Sequence, residues 1–143
     1  MKINKLKIVL DTNVFLVSIS SKFKYYWIFE KLQTGEYDLL VSNEILLEYT
    51  EKINEKFGIS MANNSLDFML LFPNVFLVNP FYKWELISID RDDNKFVDCA
   101  IVGNADYIVT HDKHFNILKT IDFPKVKTLT IDEFYQMLLA NSK

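Results

Sequence analysis

Asp11 closes the apolar run Ile8-Val9-Leu10 and is followed at once by Thr12 and Asn13. Asp is depleted in strands and costly to bury alone. A carboxylate there is either a turn residue or a working acid. The pattern recurs where Tyr107-Ile108-Val109 runs into Thr110-His111-Asp112. Two strand ends therefore deliver acids.

A helical wheel sorts the remaining carboxylates. In a helix starting near Asp93, the stripe Phe96, Val97, Ala100 and Ile101 centres within roughly 10° of Asp93, and Asp98 lies about 130° away on the side expected to face solvent. A second helix carries Glu44, Glu48, Glu51 and Glu55, of which Glu48 comes nearest the apolar stripe, about 130° from its centre. Carboxylates gathered at one sheet edge repel each other unless a hard divalent cation sits among them. Mg²⁺ prefers oxygen ligands and keeps some of its waters, so a few acids suffice. A bound ion lowers the pKa of a water and neutralises phosphoryl charge, which suits in-line hydrolysis of a phosphodiester.

Competing chemistries find little support. No G-x-G-x-x-G or Walker A pattern occurs, and the chain has only three glycines. His111 and His114 have no partnering His or Cys cluster and are not read as a metal-ligand pattern. No nucleophile elbow is present. A phosphotransferring aspartate would want an acid two residues after the nucleophile, and position 13 is Asn.

The elements that must place the acids follow from periodicity and punctuation. Strands are expected at Leu6–Leu10, Tyr37–Val41, Val75–Val78, Tyr107–Val109 and Val126–Leu129. Helices are expected from Val14 to about Thr34, broken near Ser18–Ser21 and ended by Gly35; from Asn43 to Phe57, ended by Gly58; from Ser60 to Phe72; and from Asp93 to Gly103. Phe81–Ile89 reads as irregular. Thr130 and Glu133 form a capping box opening a last helix. Short apolar strands alternating with helices mark an α/β fold. Its expected form is a three-layer α/β/α sandwich with a central, mainly parallel sheet. In such sheets ligands bind beyond the carboxyl ends of the strands.

At 143 residues, half of them apolar and 15% aromatic, residues 1–143 make one folded domain. The net charge of −3 argues weakly against a general polyanion binder. The single Cys99 reads as a small core residue and fits a reducing cytoplasm. No signal-like or membrane-length apolar run follows the basic start, so no membrane association is expected.

The blocks "IVLDTNVFL", "VSNEILLEY", "DRDDNKFVDCAIVGNADYIVTHDKHF" and "TLTIDEF" resemble the PIN domain family over roughly Lys7–Leu138. Within it the chain is most similar to toxin components of bacterial type II toxin–antitoxin pairs, the VapC-type ribonucleases. The resemblance implies a metal-dependent endoribonuclease using Mg²⁺ or Mn²⁺ on RNA, with a cognate antitoxin partner and a homodimeric state. It also implies catalytic Asp11, Glu48, Asp93 and Asp112, with Asp11, Asp93 and Asp112 on the metal. Asp98 is the alternative third acid, and Asn13 and Thr110 are orienting positions. Lys22, Lys24, Lys95 and Lys113 are candidates to hold the backbone. The aromatic run Phe23-Lys24-Tyr25-Tyr26-Trp27 could stack bases, although packing in the core or at a partner interface is the simpler reading. A non-catalytic RNA-binding or protein-interaction module, or a DNA-directed nuclease, is the alternative.

Overall fold

The computed structural model describes residues 5–88 and 91–141; Lys2 and Ile89 lie outside them. Ile8, Val9 and Leu10 form strand β1 (Lys7–Leu10) and are completely buried, as expected of a strand covered on both faces. It is joined by β2 (Asp38–Val41), β3 (Val75–Leu77), β4 (Tyr107–Val109) and β5 (Thr128–Leu129). The order is β3-β2-β1-β4-β5, and every pairing is parallel.

The chain winds outward from β1 in both directions, so right-handed connections place helices on opposite faces of the sheet. This is the expected α/β sandwich. The order reverses between β1 and β4, the point where open sheets of this kind leave a crevice. Val9 pairs with Ile108 and Leu10 with Val109, so the acids beyond the two strands emerge side by side.

The helices are α1 (Thr12–Leu16), α2 (Trp27–Gln33), α3 (Asn43–Phe57), α4 (Ile59–Met69), α5 (Asn94–Val102) and α6 (Ile131–Asn141). The break expected near Ser18–Ser21 is present but wider than expected: α1 and α2 are separated by ten residues of turns, 17–26. Ser18 explains the early stop: its hydroxyl donates to the Phe15 carbonyl at 2.6 Å and competes with helix continuation. Gly35, at φ +79°, follows α2. Gly58, at φ +95°, allows α3 to turn directly into α4. The fourth helix ends at Met69, short of Phe72, and the last strand keeps only Thr128–Leu129. The capping box forms, with Thr130 Oγ1 accepting from the Glu133 N–H at 3.2 Å and Glu133 Oε1 accepting from the Thr130 N–H at 2.9 Å.

Tyr49 ties α3 to the sheet. Its hydroxyl donates to the Leu10 carbonyl, and its ring stacks on Phe15 at 4.2 Å between centroids. Helix α3 is thereby pinned at the carboxyl end of β1, with Glu48 one residue away from the anchor.

Candidate active site

Asp11 leaves β1 with its N–H donating to the Val109 carbonyl of β4 at 3.1 Å. Its Oδ2 accepts from the Thr110 hydroxyl at 2.8 Å, and the same hydroxyl oxygen accepts from the Asp112 N–H at 3.0 Å. One threonine thus bridges the two strand-end acids. Asp11 is only 6% exposed. Burial pushes its carboxyl up from the ordinary 3.8, and the charges of Asp112 and Glu48 push the same way; hydrogen bonds from Thr110 and the Thr12 backbone oppose them in part.

Glu48 reaches this edge from α3. The Thr12 hydroxyl donates to its Oε2, and the Lys95 ammonium lies 2.5 Å from its Oε1. Lys95, one of the candidate backbone lysines, is 13% exposed and paired with Glu48. Lys22, Lys24 and Lys113 do remain on the surface.

Asp93 ends a 3₁₀ turn, Arg91–Asp93, at the mouth of α5 and is buried. Its Oδ2 lies 3.6 Å from His114 Nδ1, and that nitrogen lies 3.4 Å from Asp112 Oδ1. Asp93, Asp112 and His114 each offer one ligand atom, all within 4.8 Å of one another. Asp112 caps the 3₁₀ segment Lys113–Thr120, which the sequence reading missed, and its Oδ1 accepts from the His114 N–H at 2.9 Å. The Asp112-Lys113-His114 spacing was the available signal. An aspartate that caps an amide two residues on fixes that residue beside itself.

Asp98 corrects the helical-wheel expectation. It faces the irregular segment Phe81–Ser88 and is buried, not solvated. Its Oδ1 accepts from the Trp84 N–H at 3.2 Å, and burial raises its pKa. The surrounding pocket contains Glu44, Lys83 and Glu85 and is lined by none of Asp11, Glu48, Asp93 or Asp112.

His111 holds α6: its Nε2 accepts from the Ile131 N–H at 3.0 Å. A cavity of about 310 Å³ opens on the Asp11 and Asp112 side, with Asn13, Val14, Tyr25 and Ile131 on its walls. Elsewhere in the aromatic run, Trp27 packs against Phe134 and Tyr135, as the packing reading expected. Cys99 is buried, its thiol pushed up to about 12 by desolvation.

Residues 7–114 match the PIN domain family model, and the chain belongs to that family. No curated protein matches the sequence. Among solved structures, the chain resembles VapBC2 from Rickettsia felis bound to a promoter DNA fragment, with TM-score 0.61 and 20% identity over 87% of this chain and 98% of that one. It also resembles the Mycobacterium tuberculosis toxin VapC20, which cleaves the sarcin–ricin loop, with TM-score 0.57 and 12% identity over 83% and 98%. DNA-bound VapBC from Salmonella typhimurium matches with TM-score 0.59 and 14% identity over 88% and 98%. These likenesses establish the shared fold.

Proposed function

We propose that this PIN domain is a metal-dependent endoribonuclease, the toxin of a type II toxin–antitoxin pair, working in the cytoplasm. The observation that carries the reading is the gathering of Asp93, Asp112 and His114 donor atoms within 4.8 Å, beside Asp11, at the sheet's switch point. That donor set fits a divalent ion, which when bound neutralises phosphoryl charge and acidifies a water.

Asp11, Asp93 and Asp112 supply the negative charge that retains the cation. Thr110 fixes the spacing of two of these acids. Glu48 is held at both oxygens, by Thr12 and Lys95, and orients the attacking water. The cavity beside Asp11 takes a nucleotide next to the scissile phosphate, its base against Tyr25. Lys24 and Lys113 hold the RNA backbone by charge. An antitoxin covers the site between uses, and the toxin assembles as a homodimer.

The test is cleavage of a mixed panel of labelled RNAs with added Mg²⁺ or Mn²⁺. Wild type should cleave, and both EDTA and Asp11→Asn should abolish cleavage. Folded wild type that cleaves no RNA with either ion would overturn the reading, as would full activity in Asp11→Asn.

A further inference from the structure

The histidine in the acid cluster bears on which ion the site holds. Two carboxylates alone offer only hard oxygen donors, the set that suits Mg²⁺. His114 changes that set. Its Nδ1 lies 3.4 Å from Asp112 Oδ1 and 3.6 Å from Asp93 Oδ2. Bonds of ~2.0–2.2 Å to a single ion span separations of this size between neighbouring donors.

The ring is delivered by local structure. Asp112 caps its own 3₁₀ segment and accepts the His114 amide. The same aspartate that offers an oxygen therefore sets the position of the residue offering the nitrogen. The His114 side chain is 40% exposed overall, while its Nδ1 is buried beside Asp93 Oδ2, on the side of the ring turned toward the acids.

We infer that His114 Nδ1 is a metal ligand alongside Asp93 and Asp112, and that it makes the site selective for a first-row transition ion such as Mn²⁺ over Mg²⁺. The inference rests on the metal-dependent reading above and deepens it. Imidazole nitrogen is a borderline donor that favours transition ions, whereas Mg²⁺ accepts it reluctantly and keeps its waters instead. Mn²⁺ accepts both carboxylate and imidazole. Asp11 and Glu48 do not supply this preference, since both present only oxygen.

The readout is direct ion binding to the metal-stripped full chain, without substrate. Mn²⁺ is followed by loss of the free-ion paramagnetic resonance signal, and Mg²⁺ by its competition against Mn²⁺. Wild type should bind one Mn²⁺ at this cluster at least tenfold more tightly than Mg²⁺. His114→Ala should weaken Mn²⁺ by at least the ~10-fold that loss of an outer-sphere partner already costs, with Mg²⁺ nearly unchanged. His114→Asp, which replaces nitrogen with oxygen, should recover binding but narrow the Mn²⁺ to Mg²⁺ ratio. Circular dichroism confirms that each variant is folded, and the Asp variant carries the test if the Ala variant is not.

Equal affinity for the two ions in wild type would overturn the inference, as would an unchanged ratio in the folded variants. If RNA is still cleaved in Mg²⁺ under those outcomes, the nuclease reading stands without it. If wild type binds neither ion, the inference and the metal-dependent reading fail together.

Discussion

Asp11 is held in a state that costs stability. Its folded pKa is raised above 3.8 by burial and by the Asp112 and Glu48 charges. The native chain therefore keeps a proton at pH values where the unfolded chain has released it. Stability then falls as pH rises from about 3.8 through the folded value. Without divalent ions, Asp11→Asn should melt a few degrees above wild type at pH 7, and the gain should vanish as pH is lowered below 4. The same variant should lose cleavage by about two orders of magnitude or more. Scanning calorimetry across pH in EDTA, paired with the RNA assay, checks both halves. A variant that melts below wild type at neutral pH would contradict the assigned burial cost. The Glu48–Lys95 pair is the opposite case. Both side chains are largely buried, at 20% and 13% exposure, and each neutralises the other. Lys95→Met alone should destabilise, because it leaves a carboxylate unpaired. A double-mutant cycle with Glu48→Gln should return about 1–3 kcal/mol of coupling, between surface and buried values. Additive effects would show that the contact contributes nothing.

At the scale of elements, the start of α5 parcels out successive side chains. Asp93 goes to the acid cluster, Lys95 to Glu48, and Asn94 and Asp98 to the Phe81–Ser88 segment. Asn94 clamps Ile87 at both ends: its Oδ1 accepts from the Ile87 N–H at 2.9 Å and its Nδ2 donates to the Ile87 carbonyl at 2.8 Å. Asn94→Ala should cost about 2 kcal/mol by unmaking both bonds, and should speed hydrogen exchange at the Ile87 amide. Unchanged protection there would contradict the clamp. This element also marks the limit of sequence reading. Ile8–Leu10 and Tyr107–Val109 were legible because parallel strands buried on both faces are continuous apolar runs, and an acid ending such a run stands out. The placement of Asp11 and Asp112 at the carboxyl ends of two strands followed from that; their meeting at the switch point came from the strand order, which the structure supplied. Asp98 was misplaced because a wheel assumes that the face opposite the stripe meets water. Here an irregular segment with no periodicity covers it. Lys95 and His114 were missed for a related reason. Glu48, on α3, lies 47 residues from Lys95, and Asp93 lies 21 residues from His114, so no local pattern announces either meeting; only the Asp112-Lys113-His114 spacing gave a local sign of His114's place.

For the whole molecule, the question is what the sheet's far edge is for. The acids sit between β1 and β4, whereas β3 forms an outer edge with Phe76 and Leu77 exposed. Leu47 and Leu70 are also exposed, at 70% and 49%, and share one cavity of about 450 Å³ between α3 and α4. Scattered exposed apolar residues need no explanation, but Leu47 and Leu70 on one groove between α3 and α4 fit a face that another chain covers. Anchoring matters here, because α3 also carries Glu48. A chain packed on the outer side of α3 would bear on the helix that carries Glu48. Light scattering of the pure chain should therefore give about twice 16.9 kDa, consistent with the proposed homodimer. Leu47→Glu with Leu70→Glu should shift it toward monomer, since buried unpaired charges oppose association. Both residues are exposed in the single chain, so the monomer should remain folded. A wild type that stays monomeric at high micromolar concentration would contradict the homodimer.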